Sequence, residues 1–292
     1  MSNLPRVSVI VPVFNDPRLF QCLDALARQS YPTVRMEVLV IDNGSDRLPE
    51  ISGYPFARLL QEASPGSYAA RNLGITQARG DILAFVDADC TPLVDWLERG
   101  VEGLVASGAE AAGGRIIPLF HVPGRPTLVE LYDSLISLDQ SRCAVNGGFA
   151  ATANLLAPRE TFHRIGPFDA SLKSGGDREW GARLGNLGGR FVYLEGAAVG
   201  HPARGGLGSL LRKHRRVAGS GAGFGRSRWK RVREFLRLQL KDLLLVGQSR
   251  RIISAAQLGA GQRFALLALA RFLSLVRMAE RCRVALGGSA LR

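Results

Sequence analysis

Short apolar runs alternate with segments of helical periodicity along the first 120 residues. Residues 6–14, 37–42 and 81–86 are rich in Val, Ile and Leu and have the length of buried strands. Asp16-Pro17 is a typical helix start after the first run, and residues 66–78 place apolar side chains at helical spacing before the third. Continuous apolar strands separated by helices indicate an α/β fold with a mostly parallel sheet that helices cover on both faces.

Weaker patterns continue this alternation as far as residue 200. A helix is predicted to begin at Thr91-Pro92 and to continue to about residue 105. A strand-like run follows at 149–156, and a helix is predicted at 176–187. Residues 190–194 and 197–200 have the pattern of two short strands. The pattern then becomes helical and basic to the end of the chain.

The composition is that of an ordinary globular protein. Of the 292 residues, 46% are hydrophobic and 22% are charged, which excludes the fibrous and wholly disordered classes. The chain has no run of 18 uncharged apolar residues and its first residues lack a signal-peptide pattern, so we expect neither a conventional membrane-spanning helix nor export. The four cysteines form no Cys-x-x-Cys pair, which favours a reducing, cytoplasmic compartment and gives no support to a disulfide framework.

The positive charge is concentrated in the last third of the chain. The whole chain carries a net charge of +13, yet residues 201–292 contain 20 Lys and Arg against 3 Asp and Glu. Many of these cations lie within residues 207–241, where they alternate with Leu, Phe and Trp229 around a Gly-rich segment at 219–225. Basic amphipathic helices of this kind are typical of proteins that lie on an anionic membrane surface.

Two alternatives to membrane contact are open for this basic region. It could be a solvated helical hairpin that covers the rest of the protein, or it could bind nucleic acid, which the scarcity of stacking aromatics disfavours. Residues 264–283 include an apolar run with Arg271 inside it, which is too short and too charged to span a bilayer. This segment either lies in the membrane interface or packs as a core helix.

Acidic residues follow the strand predicted at 81–86. Ligands of parallel sheets bind outside the carboxyl ends of the strands, so Asp87-Ala88-Asp89 lies where a ligand is expected. Two carboxylates two positions apart beyond a strand end can share a hard divalent cation, which prefers oxygen ligands. A solvated turn before a helix is the alternative interpretation of the same three residues.

Five segments of the chain resemble the family-2 glycosyltransferases with the GT-A fold, in the family's order. They are VSVIVPVFND at 7–16, VLVIDNGSD at 38–46, SPGSYAARNLGITQARGDILAFVDADCTP at 64–92, TANLLAPRETFHRIGPFD at 152–169 and SGGDREWGARL at 174–184. The resemblance implies a catalytic domain over residues 1–205, with a nucleotide-sugar half to about residue 120 and an acceptor half after it. The basic helical extension then occupies residues 206–292.

The resemblance also implies how the donor, a nucleotide-diphosphate sugar with uridine as the expected base, is held. Pro12, Phe14 and Asn15 lie where the family holds the nucleotide, and Asp42 lies where it reads the base. The family often has a second acid after this Asp, and this chain has Asn43 there instead. The other donor-binding residues that the resemblance implies are Arg71, Asp87, Ala88 and Asp89.

A divalent metal, Mg²⁺ or Mn²⁺, is implied as the cofactor. Asp89 and Asp87 would be its ligands, and His201 matches a downstream His that ligates the metal in some members. An ordinary surface or core histidine is the alternative for His201. The acceptor is expected to be a saccharide or a lipid-linked molecule.

Asp177 matches the Asp of the family's Glu-Asp pair, which implies that it is the general base. Gly176 stands where the Glu would be, and a helix cap is the alternative role for Asp177. Asn154, Gly176 and Trp180 are predicted to contact the acceptor. Hydrogen bonding at a strand end is the alternative for Asn154, and a place in the core is the alternative for Trp180.

The chemistry of sugar transfer agrees with these assignments. Negative charge grows on the leaving diphosphate and needs a cation, while the acceptor hydroxyl must lose its proton to a positioned base. Direct in-line attack then inverts the anomeric centre without a covalent glycosyl-enzyme. The resulting hypothesis is an inverting, metal-dependent glycosyltransferase that lies peripherally on the inner face of the cell membrane.

Two other hypotheses come from different functional classes. A nucleotidyltransferase would make nucleotide sugars and share much of this layout, although the first strand lacks the basic Gly-rich loop that such enzymes use. A non-catalytic module would only bind a membrane or nucleic acid through the basic extension. The sugar, the acceptor, the linkage and the oligomeric state are left open by the sequence.

Overall fold

A computed structural model of the chain describes residues 4–137, 139–220 and 228–289. These residues fall into two compact units. The first comprises the described residues within Met1–Ile117, Gln140–Ser171 and Gly176–Pro202. The second comprises the described residues within Pro118–Asp139, Leu172–Gly175 and Ala203–Arg292. Of the Gly-rich segment predicted at 219–225, residues 221–225 lie outside the described residues.

A mixed β-sheet forms the centre of the first unit. Its strands among the described residues are β1 (Val7–Val13), β2 (Met36–Asp42), β3 (Ala57–Gln61), β4 (Ile82–Phe85), β5 (Thr91–Pro92), β6 (Ala111–Leu119), β7 (Leu155–Pro158) and β8 (Phe191–Pro202). They lie in the order β3-β2-β1-β4-β7-β6-β8-β5. β1 pairs in parallel with β2 and β4, and β2 with β3, whereas β7 runs antiparallel to β4 and β6. This arrangement confirms the predicted α/β fold with a mostly parallel sheet.

Helices surround the sheet and make up most of the second unit. Those described are α1 (Leu19–Ala27), α2 (Ser67–Gln77), α3 (Trp96–Ser107), α4 (Leu128–Ser137), α5 (Gln140–Gly147), α6 (Arg159–Ile165), α7 (Gly176–Asn186), α8 (Leu207–Ser220), α9 (Arg228–Leu244), α10 (Val246–Ser254) and α11 (Ala260–Ala285). A short 3-10 helix also covers Thr33–Arg35. Helices α4 and α8 to α11 belong to the second unit.

The central strands are mostly apolar because both of their faces are covered. Val9, Ile10, Leu39 and Val40 of β1 and β2 are fully buried. Each such side chain contributes about 1.5–3 kcal/mol relative to an exposed one. Helix α2 packs very close to β1, since a Cβ at Gly74 would lie 2.6 Å from Ile10 Cγ2. This close approach fixes the position of α2, which carries two of the side chains that line the candidate site.

Three local predictions were wrong in detail. Thr91 and Pro92 do not cap a helix, because their backbone pairs with β8, and α3 begins only at Trp96. The run predicted as a strand at 149–156 is mostly irregular, with a turn at 152–153, and β7 begins near its end. The two short strands predicted at 190–194 and 197–200 are one continuous strand, β8.

The second unit has an apolar core of its own. Tyr132 of α4, Leu210 of α8, Ile252 of α10 and Leu273 of α11 are all fully buried in it. Helix α11 therefore packs as a core helix along one face. Its other face carries exposed apolar side chains, among them Phe264, which is 76% exposed.

Several cations of the basic region neutralise acids inside the second unit. Asp133 accepts from Arg204 at 3.2 Å and from Lys213 at 3.1 Å, and it is fully buried. Burial raises the pKa of Asp133, but the charges of Lys213 and Arg204 outweigh it and lower that pKa to about 2. Asp242 is held in the same way by Arg277 and Arg281. Among the described residues, no helix combines the length and the apolarity needed to cross a bilayer.

Candidate functional site

The loops after β1 and β2 are tied together at the carboxyl end of the sheet. Asn15 has a left-handed backbone with φ of 48°, which Asn tolerates better than most residues. Its N–H donates to Ser45 Oγ at 2.8 Å, and its amide exchanges hydrogen bonds with Asp46. Pro12 lies on β1 opposite Ile41, and Phe14 is 55% exposed at the mouth of these loops. The structure thus brings the predicted nucleotide-binding residues of both loops to one edge.

Asp42 presents a carboxylate oxygen that the protein leaves unpaired. Its Oδ2 accepts from the N–H groups of Gly44 and Ser45 at 3.0 and 3.1 Å. Its Oδ1 is buried and has no hydrogen-bond partner among the described residues. A buried acceptor without a donor costs about 1–3 kcal/mol, and a ligand N–H placed there would remove that cost.

Asn43 has a structural role that an acid could not perform. Its amide nitrogen donates to the carbonyl groups of Glu62 and Ser64 at 3.0 and 2.8 Å, while its Oδ1 accepts from Gly66 N–H at 2.6 Å. An ionised carboxylate has no proton to donate, so an Asp at this position would leave both carbonyl groups unpaired. The departure from the family's usual second acid therefore has a local physical cause.

Helix α2 carries two side chains that face the site, Tyr68 and Arg71, one turn apart. The buried Arg71 donates to Asp87 Oδ1 and to the carbonyl of Ser67. Its Cζ lies 5.7 Å from the centroid of the Tyr68 ring. Arg71 therefore fixes the carboxylate that follows β4, and its positive charge stays beside the site.

Asp89 and His201 supply the candidate metal ligands. One ligand atom from each of Asp89, Cys90 and His201 lies within 4.8 Å of the others. His201 Nδ1 is 2.9 Å from the carbonyl of Pro202, which can only accept, so in the neutral ring Nδ1 carries the proton. Nε2 then has a free lone pair for a ligand bond.

The electrostatics of Asp89 fit a bound cation. Burial raises the pKa of Asp89 and the Asp87 charge adds to the rise, whereas His201 and Arg18 oppose it. Arg18 Nη2 lies 3.4 Å from Asp89 Oδ2 and also pairs with Asp16 at 2.6 Å. A carboxylate and an imidazole form a plausible pair of ligands for a divalent ion, whereas the sulfur of Cys90 is a poor ligand for Mg²⁺ or Mn²⁺. Ala88 is buried between the two acids and contributes no ligand atom from its side chain.

Asp177 lies at the first turn of α7 and contacts α2. Its Oδ1 is 3.4 Å from the hydroxyl of Tyr68 and accepts from Arg178 N–H at 2.9 Å. Burial raises the pKa of Asp177 and the Asp87 charge adds to it, whereas the Arg178 N–H and the Arg71 charge oppose the rise. The contacts Asp87–Arg71, Arg71–Tyr68 and Tyr68–Asp177 thus connect the acids after β4 with the acid of α7.

The side chains of Asn154 and Trp180 are buried, and both make contacts within the protein. Asn154 is 0% exposed, and its amide bonds to Trp96 Nε1 and to the carbonyl groups of Arg115 and Ala197 at 2.8–2.9 Å. Trp180 is 1% exposed and stacks on Phe162 with ring centroids 4.6 Å apart. These are the hydrogen-bonding and core roles that the sequence also allowed. A contact of either residue with an acceptor stays a prediction.

Sequence reasoning missed Tyr68 and Arg18 as members of this site. Tyr68 lies three positions before Arg71, which on a helix places both side chains on one face. That spacing is a signal that could have found Tyr68. No sequence pattern indicated Arg18. Its guanidinium comes close to Asp89 only through the path of the loop after β1.

Comparisons with known proteins all match this chain to glycosyltransferases. The profile of the family described as "Glycosyl transferase family 2" matches residues 8–168. Glycosyltransferase AglE of Haloferax volcanii is 40% identical over 224 residues, which cover 74% of this chain and 73% of AglE. The pre-mycofactocin glycosyltransferase of Mycobacterium tuberculosis is 27% identical over 207 residues, 68% of this chain and 43% of that protein.

Two solved structures share the fold. The mannosyltransferase PcManGT from Pyrobaculum calidifontis, in complex with GDP-Man and Mn²⁺, gives a TM-score of 0.64 at 21% identity and covers 97% of this chain and 87% of that one. Residues 1–349 of S. aureus TarS give a TM-score of 0.52 at 15% identity, with 97% and 92% covered. At these identities the likeness supports the architecture and not the substrates.

Proposed function

Because this chain belongs to glycosyl transferase family 2 and is a glycosyltransferase with the GT-A fold, we propose that it moves a sugar from a nucleoside-diphosphate donor to a saccharide or lipid-linked acceptor, with a divalent metal and with inversion. The observation that carries the proposal is the run of contacts from Asp87 through Arg71 and Tyr68 to Asp177. It links the acids of the donor side with an acid on another element.

The donor side has the groups that a nucleotide diphosphate requires. The Asp42 carboxylate, whose buried Oδ1 has no partner among the described residues, would accept from an N–H of the base, and the exposed Phe14 ring would offer the base an apolar surface. Asp89 and His201 would hold a divalent cation, which when bound neutralises the charge that develops on the leaving diphosphate. PcManGT is in complex with GDP-Man, whereas the resemblance to the family implies a uridine nucleotide, so the donor panel below includes both kinds of nucleotide.

On the acceptor side, Asp177 would remove a proton. Its carboxylate accepts the proton of the attacking hydroxyl as the bond from that oxygen to the anomeric carbon forms and the bond to the diphosphate breaks. When the base and the leaving diphosphate lie on opposite faces of the sugar ring, the acceptor hydroxyl attacks in line with the bond that breaks. This attack inverts the anomeric configuration. Because burial raises the pKa of Asp177, its carboxylate is a stronger base than an exposed aspartate.

A panel of donors tests this function. UDP-glucose, UDP-N-acetylglucosamine and GDP-mannose would each be added with Mn²⁺ while the melting temperature and the release of nucleoside diphosphate are followed. A donor present at about 100 times its Kd stabilises a protein by roughly 2.7 kcal/mol, so we expect a rise in melting temperature of about 5 °C or more with the true donor. Free glucose and free mannose are the controls. Release of pyrophosphate, or no response to any nucleotide sugar, would contradict the proposal.

We also propose that the basic extension attaches the enzyme to an anionic membrane surface, where a lipid-linked acceptor is located. Helix α9 exposes Val232, Leu236 and Leu240, which recur every four residues and so share one face. Arg233, Arg237 and Lys241 are exposed one position further along, and the resulting surface has an apolar stripe beside a basic one. Trp229, which the sequence analysis placed in the basic region, has a side chain that lies outside the described part of the chain.

Vesicle flotation tests this attachment. Each cation near an anionic surface contributes about 1 kcal/mol, so replacing Arg233, Arg237 and Lys241 with Gln is expected to weaken partition onto vesicles of phosphatidylcholine and phosphatidylglycerol by about 10²-fold. The matched control replaces three exposed arginines of the first unit with Gln, namely Arg28, Arg47 and Arg79. Equal flotation of both triple variants and the unchanged protein would exclude the α9 surface as the attachment site.

A further inference from the structure

Tyr68 makes an unusual set of contacts with the start of α7. Its hydroxyl accepts from Gly176 N–H at 2.9 Å and from Asp177 N–H at 3.4 Å. The same oxygen lies 3.4 Å from Asp177 Oδ1. Both amides can only donate, so the single hydroxyl proton of Tyr68 is left for the carboxylate. The bond to the carboxylate is long, as catalytic hydrogen bonds often are before substrate binds.

The ring of Tyr68 leaves no room for a side chain at position 176. A Cβ on Gly176 would lie 2.8 Å from Tyr68 Cε2 and Cζ, closer than side-chain carbons approach each other. The ring is buried and also packs against Phe168 with centroids 5.7 Å apart, so it has little freedom to move aside. Gly176 is therefore the residue that allows the hydroxyl of Tyr68 to reach the first two amides of α7.

Helix α2 thus carries two neighbouring groups that each hold an acid from a different element. Arg71 holds Asp87, which follows β4, and Tyr68 holds the first turn of α7. Because both side chains project from one rigid helix, the distance between the two acids is set by α2 and not by the flexibility of the loops.

We propose that Tyr68 is a positioning residue for Asp177: its hydroxyl anchors the first turn of α7 and orients the carboxylate toward the acceptor. The inference rests on the proposed role of Asp177 as the base. Tyr68 does not touch the reacting atoms, and it acts through the residue that it orients. The hydroxyl also stabilises the ionised form of the carboxylate, because a donated hydrogen bond favours the charged acceptor.

The change in the pKa of Asp177 on removal of the Tyr68 hydroxyl depends on the other groups that face its carboxylate. Tyr68 and Arg71 approach from α2, Asp87 acts from the end of β4, and the Arg178 N–H donates from α7 itself. Burial and the Asp177 charge raise the pKa of Tyr68 to about 12, so its hydroxyl keeps its proton at any pH used for an assay. Removal of the hydroxyl leaves the other groups in place, so we expect the pKa of Asp177 to rise.

The test compares Tyr68→Phe with a matched tyrosine far from the site. Tyr54 also donates to a carboxylate, Asp24 Oδ1 at 2.9 Å, so Tyr54→Phe removes the same chemical group at a place where no role in catalysis is proposed. Protein labelled with ¹³C-aspartate is titrated by NMR, and the Asp177 signal is assigned as the one missing from Asp177→Asn. We expect Tyr68→Phe to raise the pKa of Asp177 by about one unit, a tenfold change in its proton affinity, and Tyr54→Phe to leave it unchanged.

Kinetics provide the second readout. With the donor that the panel identifies and water as the acceptor, the acid limb of the kcat profile should move to higher pH in Tyr68→Phe by the same amount, while KM for the donor stays constant. An unchanged pKa and an unchanged acid limb would overturn the positioning role. If Asp177→Asn itself keeps full activity, the proposed base is wrong. If Asp177→Asn is inactive and Tyr68→Phe titrates like the unchanged protein, only the role of Tyr68 fails.

Discussion

We expect replacement of Asp177 with Asn to lower kcat by about 10²–10⁴-fold, the contribution of a positioned general base. The Asn side chain has nearly the same shape and still accepts the hydrogen bonds of Tyr68 and the Arg178 N–H, so the start of α7 is expected to survive. It cannot take a proton from the acceptor. The donor is held by residues of other elements, and its affinity, measured by calorimetry with Mn²⁺ present, should change less than twofold.

The matched control for this substitution is Asp169→Asn. Asp169 lies in an exposed loop of the same unit, where its carboxylate accepts from Ser171 only locally. This variant should keep the kcat and the donor affinity of the unchanged protein. If Asp177→Asn transfers sugar at a rate within a few-fold of the control, the proton must be removed by another group and the assignment of the base is wrong.

The pH profile gives the same hypothesis a second test. A base works only when it is ionised, so kcat should fall as pH decreases through the pKa of Asp177. Burial raises that pKa above the usual range of an aspartate, and the loss of activity is therefore expected at a higher pH than an exposed aspartate would give. In Asp177→Asn this acid limb should disappear from the residual activity.

The sheet was readable from the sequence because its strands are buried on both faces. The apolar runs at 6–14 and 37–42 correspond to β1 and β2 within one residue, since buried Val, Ile and Leu dominate both strands and Ser8 is the one polar residue inside β1. β5 could not be predicted: two residues have no periodicity, and the backbone of Thr91 and Pro92 is extended only because β8 lies beside it. Pairing between segments more than 100 residues apart leaves no local pattern.

The candidate site also has a part that local sequence patterns predict and a part that depends on contacts between distant segments. Acids at strand ends, such as Asp42 and Asp89, could be found because a parallel sheet brings its carboxyl ends to one edge. The sequence left the core roles of Asn154 and Trp180 as alternatives and could not choose them, because they depend on Trp96 and Phe162, which reach these residues from other helices. Tyr68 was hidden for a similar reason. The spacing of three from Arg71 places Tyr68 on the same helix face, but its contact with the start of α7 depends on Gly176, which lies on another element.

The metal site carries the other large expected effect. We expect Asp89→Asn to lower kcat by about 10²–10³-fold, the loss typical of removing one group that stabilises developing negative charge. The variant should also need at least tenfold more Mn²⁺ for half of its maximal activity, since a neutral amide is a weaker ligand than a carboxylate. His201→Gln is expected to weaken metal binding by a smaller factor, because one neutral ligand group would replace another.

Mn²⁺ binding measured without substrate distinguishes weaker metal binding in these variants from a loss of catalysis. Mn²⁺ affinity would be followed by calorimetry in protein first stripped with EDTA, which should also abolish transfer until Mn²⁺ is restored. The controls are Asp95→Asn and His163→Gln, an exposed acid and an exposed histidine of the same unit, which should bind Mn²⁺ as the unchanged protein does. Full activity of the stripped protein would contradict the proposed metal dependence.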